Sequence, residues 1–371
     1  MLHRASGNPR NLRIVSLFWN DGPAPFQQHG CHSIGRSLSD ALHRVEPQTE
    51  EQKIMPLPTD EKRLNLAKEV IQAFDDVGGY HPGHRPAHAK GQLIAGAFTP
   101  SAEAASLSKA PHFSTPSTPV IARFSNSTGL PNVPDNDPNV SGPRGLAVRF
   151  QLGDHVHTDI VAHSTDGFPA RTPQEFLELL RAIHASPPDA PHPNAIEQFL
   201  GSHPKALAFV QTPKPIPTSF ARETYFSVTA YQFIDAAGTK RHVRYRLIPD
   251  AGNAHLDAAG AGAKGPNFLM EELATRLASG PIKMHLWVQI AGEGDIVDDA
   301  TEHWPADRPQ VLLGLITLTA LVPNDDAEGK RIIFDPIPRV EGIEPSADPL
   351  LEARADVYLT SGRRRRAAAE G

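Results

Sequence analysis

Cysteine is nearly absent: Cys31 is the one thiol in the chain. No intramolecular disulfide can form, which fits a reducing compartment such as the cytoplasm. Cys31 lies in HGCHS, where too few ligands stand close by for a metal site, and it reads as a free thiol in a flexible leader. Basic charge is not in excess either, since 36 Lys and Arg against 42 Asp and Glu leave a net charge of -6. Nothing general then draws the chain to nucleic acid. No apolar run is long enough to cross a bilayer, and NLRIVSLFWND near the start is too short and lacks a small-residue cleavage site. The chain reads as soluble and not membrane-bound. It shows no internal repeat and no Gly-rich nucleotide loop.

What is present suffices for a folded body, because 371 residues with 39% hydrophobic side chains can bury a sizeable core. Residues 1–58 carry no sustained periodicity and read as an extended arm or poorly ordered leader, which leaves 59–371 as the folded domain. KRLNLAKEVIQAFDDVGG predicts a helix with Leu66, Val70, Phe74 and Val77 on one face and Gly78 and Gly79 as its stop. TPVIARFSNS predicts a strand in which Val120, Ala122 and Phe124 face one way, so Arg123 and Ser125 share the other. GLAVRFQL repeats the pattern with Leu146, Val148, Phe150 and Leu152. Thr172, Pro173 and Glu175 in RTPQEFLELLRAI form a capping box ahead of a second helix.

Further on, ETYFSVTAYQFID and RHVRYRLIP predict a hairpin, IKMHLWVQIA alternates, and VLLGLITLTAL is apolar on both faces, as in a buried strand. Strands outnumber helices, so the expected class is α+β, an antiparallel β-barrel or curled sheet with peripheral helices. SADPLLEARADVYLTSG predicts a last helix capped by Asp348, with Pro349 at its first position and Gly362 as its stop. Arg354 and Tyr358, four apart, share a face there. A guanidinium beside a phenol favours phenolate. The RRRR run at Arg363 to Arg366 taken alone reads as a solvated tail.

HPGHRPAHAKG, residues 81–91, holds nothing apolar larger than alanine. It cannot pack a core, so it is either a solvated loop or a segment laid against something bound. His81, His84 and His88 do not make a zinc site, since proline and glycine interrupt any helical ligand face and no carboxylate completes the set.

RPAHAKGQLIAGAF resembles the distal signature of haem catalases. IARFSNS, GPRGLAVRF and DATEHWP resemble later family segments, and FDP with GIEPSADPLLEARADVY is similar to the family's proximal helix. Found in this order over residues 80–366, they identify the chain as resembling the short catalase-related peroxidases.

The resemblance implies haem b within a catalase-like barrel, its iron held by the Tyr358 phenolate that Arg354 keeps ionised. It implies His88 as general acid and base, oriented by Ser125, and Arg85, Arg123 and Arg365 as partners of the haem propionates. Phe176 and Phe168 would be the aromatics against the ring. Hydrogen peroxide or an organic hydroperoxide would be the substrate and a small organic molecule the electron donor, with a homodimer as one assembly. One departure stands out. Where catalases carry an asparagine beside the distal histidine, TDIVAHST offers His163 or Ser164. This favours peroxidase activity with weak catalase activity, His163 standing in part for the missing amide. The alternatives are a hydroperoxide isomerase similar to allene oxide synthases, against which Ala87 speaks, and a haem carrier or sensor.

Overall fold

The computed structural model describes residues 59–137 and 142–370. The leader expected over 1–58, with Cys31, lies outside them. In chain order the elements are α1 (Glu61–Gly78), β1 (Gly91–Pro100), α2 (Ala104–Leu107), β2 (Thr118–Asn126), β3 (Arg144–Gly153), β4 (Val156–His163), α3 (Pro173–His184), α4 (Ala195–Ser202) and α5 (Pro204–Gln211). There follow β5 (Tyr225–Phe226), β6 (Tyr231–Ile234), β7 (Lys240–Pro249), α6 (Ala258–Gly262), α7 (Phe268–Ser279), β8 (Ile282–Ile290), β9 (Gln310–Leu321), α8 (Asp325–Arg331), β10 (Ile343–Pro345) and α9 (Pro349–Glu370).

The strands pair antiparallel in the order β7-β5-β4-β3-β2-β1-β9-β8, and a direct β7–β8 ladder closes the ring into an eight-stranded barrel. Closure leaves no open edge around the ring. β6 and β10 extend it from β7. The period-two pattern decides what faces inward: Val120, Ala122 and Phe124 pair with Phe150, Val148 and Leu146, and all six are buried. Phe98, Met284, Leu286, Ile316 and Leu318 join them. Each such side chain contributes about 1.5–3 kcal/mol by leaving water. His112 is buried among them, its ring 4.1 Å from Phe113 and 4.8 Å from Phe150 between centroids.

The barrel is thus filled by side chains, and a cofactor inside it, as the resemblance implied, finds no room at this packed centre. Arg123 and Ser125 alternate with the inward residues and stand on the outer wall, toward the helices.

Those helices form the second layer. α1 is capped by Asp60, whose carboxylate accepts from Lys62 N at 2.8 Å, and stops at Gly79 with φ 81°, as its sequence predicts. Val70 and Ala73 of α1 pack on Leu177 and Leu180 of α3 and on Val357 of α9. Thr172 caps α3, but the Glu175 carboxylate accepts from Arg171 N at 2.8 Å instead of from the cap, so only half of the expected box forms. A complete box, Asn194 with Glu197, starts α4 instead.

Three other expectations need correction. The predicted hairpin is β6 with β7, while Tyr225 and Phe226 form a separate strand bridging β4 and β7. β9 is buried on one face, because α2 and α7 cover its outer side only in part and Leu315 and Thr317 stay half-exposed. Gly362 does not end α9, which runs on to Glu370. A Cβ at Gly362 would overlap Ile333, so the glycine admits a close neighbour. The arginine run is therefore helical and not a tail: Arg364 grips Asp75 of α1 with both terminal nitrogens, and Arg365 is 3% exposed.

Candidate functional site

The loop over residues 79–90 leads from α1 onto the outer wall. Its His88 has φ 56°, a left-handed conformation that costs a non-glycine residue free energy. The surroundings hold it there: His88 N donates to Ser127 O at 3.0 Å, Ala89 N donates to Thr128 O at 3.0 Å, and the Arg123 guanidinium donates to His88 O at 2.9 Å and Ala89 O at 3.1 Å. Gly91 serves this arrangement by its lack of a side chain. A Cβ there would lie 2.6 Å from Arg123 Cζ, so its hydrogen clears the path of the guanidinium.

Cross-strand pairing lines up Gly91, Ser125, Gly145 and His163 in one row. His88 lies over that row, with Nδ1 3.0 Å from Ser125 Oγ and its ring against Gly145. His163 stands on the other side of Gly145. Its Nδ1 accepts from Thr165 N at 3.3 Å, and its ring centroid is 6.4 Å from both Phe168 and Phe209. Ser164 is engaged elsewhere, its Oγ accepting from Arg144 N at 2.9 Å. Of the two residues at the asparagine position, His163 is the one beside His88. Phe168 packs on Phe176 at 5.1 Å, and Phe176 on Phe74 of α1 at 5.7 Å.

Arg85, Arg123 and Arg365 gather at one edge of this region. Arg85 and Arg365 both donate to Ile332 O, each at 3.0 Å, and Arg365 also bonds Ser361 Oγ at 2.9 Å. Burial, with the charges of Arg123 and Arg365 beside it, holds the Arg85 pKa well below its usual range. Burial takes Arg123 down to about 10 and Arg365, with its cationic neighbours, to about 9. Among the described residues no carboxylate lies within 4 Å of any of the three, whereas most other arginines have one. Arg123 and Arg365 are buried and Arg85 is half-buried. Asp325 acts on Arg85 and Arg123 from a distance without forming an ion pair with either, and three cations so placed that repel one another fit a ligand bringing carboxylates of its own.

On α9, Arg354 Nε donates to Tyr358 Oη at 3.2 Å, and its Cζ is 5.7 Å from the ring centroid. Burial opposes the Arg354 cation, yet Tyr358 and Tyr231 more than offset it, so its pKa stands above normal. Arg354 also acts electrostatically on His88 and His163, and Tyr358 on Arg85. Phenol, arginines and both imidazoles share one neighbourhood. Burial lowers His88 to about 3, helped by Arg123 and His163, and lowers His163 to about 3, helped by Arg354 and Lys214. Both rings are neutral near pH 7. A phenol polarised by a guanidinium suits a ferric ion, and the arginine edge suits the propionates of haem, so the residues fit the cofactor that the resemblance implied.

His81 and His84 stay outside this set. His81 Nε2 donates to Gly78 O at 3.0 Å, and no metal-binding group of three or more acidic, His or Cys side chains occurs among the described residues. Sequence reasoning missed Gly145, Phe209, Lys214 and the Ile332 carbonyl. A glycine inside an otherwise alternating strand is a signal that could have found Gly145. The others carry no local signal.

The Catalase family model matches residues 75–370. A catalase-related peroxidase of Mycolicibacterium paratuberculosis is 38% identical over 296 residues, covering 79% of this chain and 92% of that protein. One of Synechococcus elongatus is 36% identical over 297 residues, covering 79% and 86%. A catalase of Capsicum annuum is 28% identical over 298 residues, which cover 76% of this chain and 60% of the plant protein. Among solved structures, a fungal catalase aligns with TM-score 0.68 at 23% identity, covering 87% of this chain and 66% of that one. Catalase A from Saccharomyces cerevisiae gives 0.67 at 23%, covering 87% and 68%. At this identity the two structures speak for the fold.

Proposed function

The chain belongs to the catalase family, and from that premise we propose that it is a haem b peroxidase that reduces hydrogen peroxide or organic hydroperoxides with a small organic electron donor, with weak catalase activity alongside. Its family makes it an oxidoreductase acting on peroxide. Residues 59–371 are the haem-binding domain of this reading, and a cytoplasmic setting suits its single cysteine.

The observation that carries the reading is the trio of arginines, Arg85, Arg123 and Arg365, that form no ion pair among the described residues and lie in the neighbourhood of the Arg354–Tyr358 pair. Tyr358 is the iron ligand, and Arg354 donates a hydrogen bond to its oxygen and sets a positive charge beside it. Arg85, Arg123 and Arg365 take the propionates. When bound, haem supplies the two electrons that cleave the O–O bond. His88 Nε2 takes the proton from the near peroxide oxygen and returns it to the far one. A low pKa serves that task, because the imidazole must release the proton again within the same event. Ser125 fixes the ring through Nδ1, and His163 completes the distal face with Phe168 and Phe176. Without the asparagine amide a second peroxide is held less well, which favours an organic donor.

An absorption spectrum of the purified protein, produced with haem supplied, tests this before and after one equivalent of peroxide. A Soret band that shifts at once and returns on adding a phenolic donor is expected. A colourless protein, or a haem spectrum inert to peroxide, would overturn the reading.

A further inference from the structure

Two neutral imidazoles flank Gly145 on the outer wall, and their inner nitrogens are engaged differently. His163 Nδ1 accepts from the Thr165 backbone N–H at 3.3 Å. A nitrogen that accepts carries no proton, so the one ring proton of neutral His163 sits on Nε2. Among the described residues nothing accepts from that N–H. His88 Nδ1 meets Ser125 Oγ at 3.0 Å, and with Nδ1–H donating to the hydroxyl its Nε2 keeps a lone pair. The distal face thus presents an acceptor on the loop residue that lies over Gly145 and a donor on His163, the cross-strand neighbour of that glycine.

We propose that His163 is the hydrogen-bond donor of the distal face, its Nε2–H directed to the far oxygen of a bound hydroperoxide. This rests on the peroxidase reading above and goes beyond it, since it gives His163 a role in O–O cleavage itself and not in holding a second peroxide. As the O–O bond breaks, the far oxygen departs with the bonding pair and takes the proton that His88 removed from the near oxygen. It leaves as water from hydrogen peroxide or as an alcohol from an organic hydroperoxide. The two-electron oxidation falls on the cofactor and is later reversed by the donor. Negative charge builds on the far oxygen before the proton arrives, and a fixed donor stabilises it without reorganisation. Burial, and after it the neighbouring cations Arg354 and Lys214, disfavour a second proton on the ring, so the donor keeps one defined hydrogen. Lys214 itself is held by Phe209 O at 2.8 Å and Thr212 O at 2.9 Å, and its ammonium lies 4.8 Å from the centre of the Phe209 ring that packs edge-on against His163. The ring is therefore braced on both sides. An aromatic, apolar surround with a single donor suits hydroperoxides carrying an organic group as well as hydrogen peroxide.

The test compares the haem-loaded parent with His163→Leu, which removes the donor, and His163→Gln, which restores one. Two quantities are read: the stopped-flow rate of the Soret change with hydrogen peroxide, and the C–O stretching band of the dithionite-reduced protein under carbon monoxide. A nearby donor lowers that band whether or not the enzyme turns over. In His163→Leu the rate should fall roughly 10²-fold, as when one such donor is removed elsewhere, and the band should move to higher frequency. His163→Gln should recover most of both. A leucine variant with the parent's rate and band would overturn the proposal. Equal losses in both variants would overturn it too, for they would mark a packing role. A parent that binds no haem defeats the peroxidase reading and this inference together, whereas a reactive parent with indifferent variants defeats only the inference.

Discussion

Gly145 and His88 touch across the outer wall of the barrel: a Cβ on Gly145 would lie 2.7 Å from both Cε1 and Nδ1 of His88, and 2.6 Å from Ser125 Oγ. The absence of one methyl group sets where the His88 imidazole rests. Gly145→Ala should leave the barrel intact, since the added atom points out of the core, but should push His88 off its position. A loss of roughly 10²-fold in the rate of reaction with peroxide, with haem content unchanged, is expected for a displacement near 1 Å. Stopped-flow absorption reads it, and an unchanged rate would show that the ring position is not critical.

The proximal pair gives a second expectation. Arg354→Met removes a charge-assisted bond to Tyr358, of a kind that contributes about 1.5–3 kcal/mol. Haem affinity, measured by titrating the apoprotein with haemin, should fall roughly tenfold to a hundredfold. Tyr358→Phe removes the proposed ligand atom and should abolish tight binding.

Arg365 makes a two-sided prediction. Its buried charge faces like charges without a carboxylate nearby, so it costs stability in the apoprotein and is useful only when a carboxylate arrives. Arg365→Met should leave the apoprotein melting temperature unchanged or raised, while weakening haem binding about tenfold or more. Melting curves of the apoprotein with haemin titrations check both. A collapsed apoprotein with unaltered affinity would assign the arginine to packing alone.

His112 governs a pH dependence that needs no cofactor. Burial among Phe113 and Phe150 lowers its pKa to about 3, and its Nδ1 has no hydrogen-bond partner. The folded form keeps the ring neutral, while the unfolded chain protonates below about 6.5, so unfolding takes up a proton in that window. Stability is fully present above pH 6.5 and declines on acidification toward 3, at about 1.4 kcal/mol per pH unit. Urea unfolding of the apoprotein at pH 7 and pH 5 should show His112→Phe losing about 2 kcal/mol less than the parent between the two. Equal losses would place the acid sensitivity elsewhere.

Much of this was legible in local pattern. Alternation in TPVIARFSNS separated Phe124 from Arg123 and Ser125, and helical spacing put Arg354 with Tyr358; both hold, because period and side-chain direction are properties of a few consecutive residues. The outer wall was not legible. Alternation says that two faces differ, but which one meets the cofactor depends on what fills the barrel, and Phe98, Phe124 and Phe150 arrive from three different strands. The meeting of Arg85 and Arg365 at Ile332 O joins residues far apart in sequence through a backbone carbonyl, which has no residue identity to read. Gly362 misled for a physical reason: glycine stops helices by its freedom, yet it also sits within them where a neighbour needs the space.

That uninterrupted α9 has a mechanical consequence. Arg354, Tyr358, Ser361 and Arg365 fall on one stripe of the helix, and Tyr358 and Arg365 are two turns, about 10 Å, apart along its axis. A single rod thus works as a ruler between the phenol oxygen and the Arg365 cation, and Arg364 clamps its end to Asp75. Tyr358 and Arg365 cannot be repositioned independently. A substitution that bends the rod between them would shift the whole gauge, and both contacts would drift out of register at once.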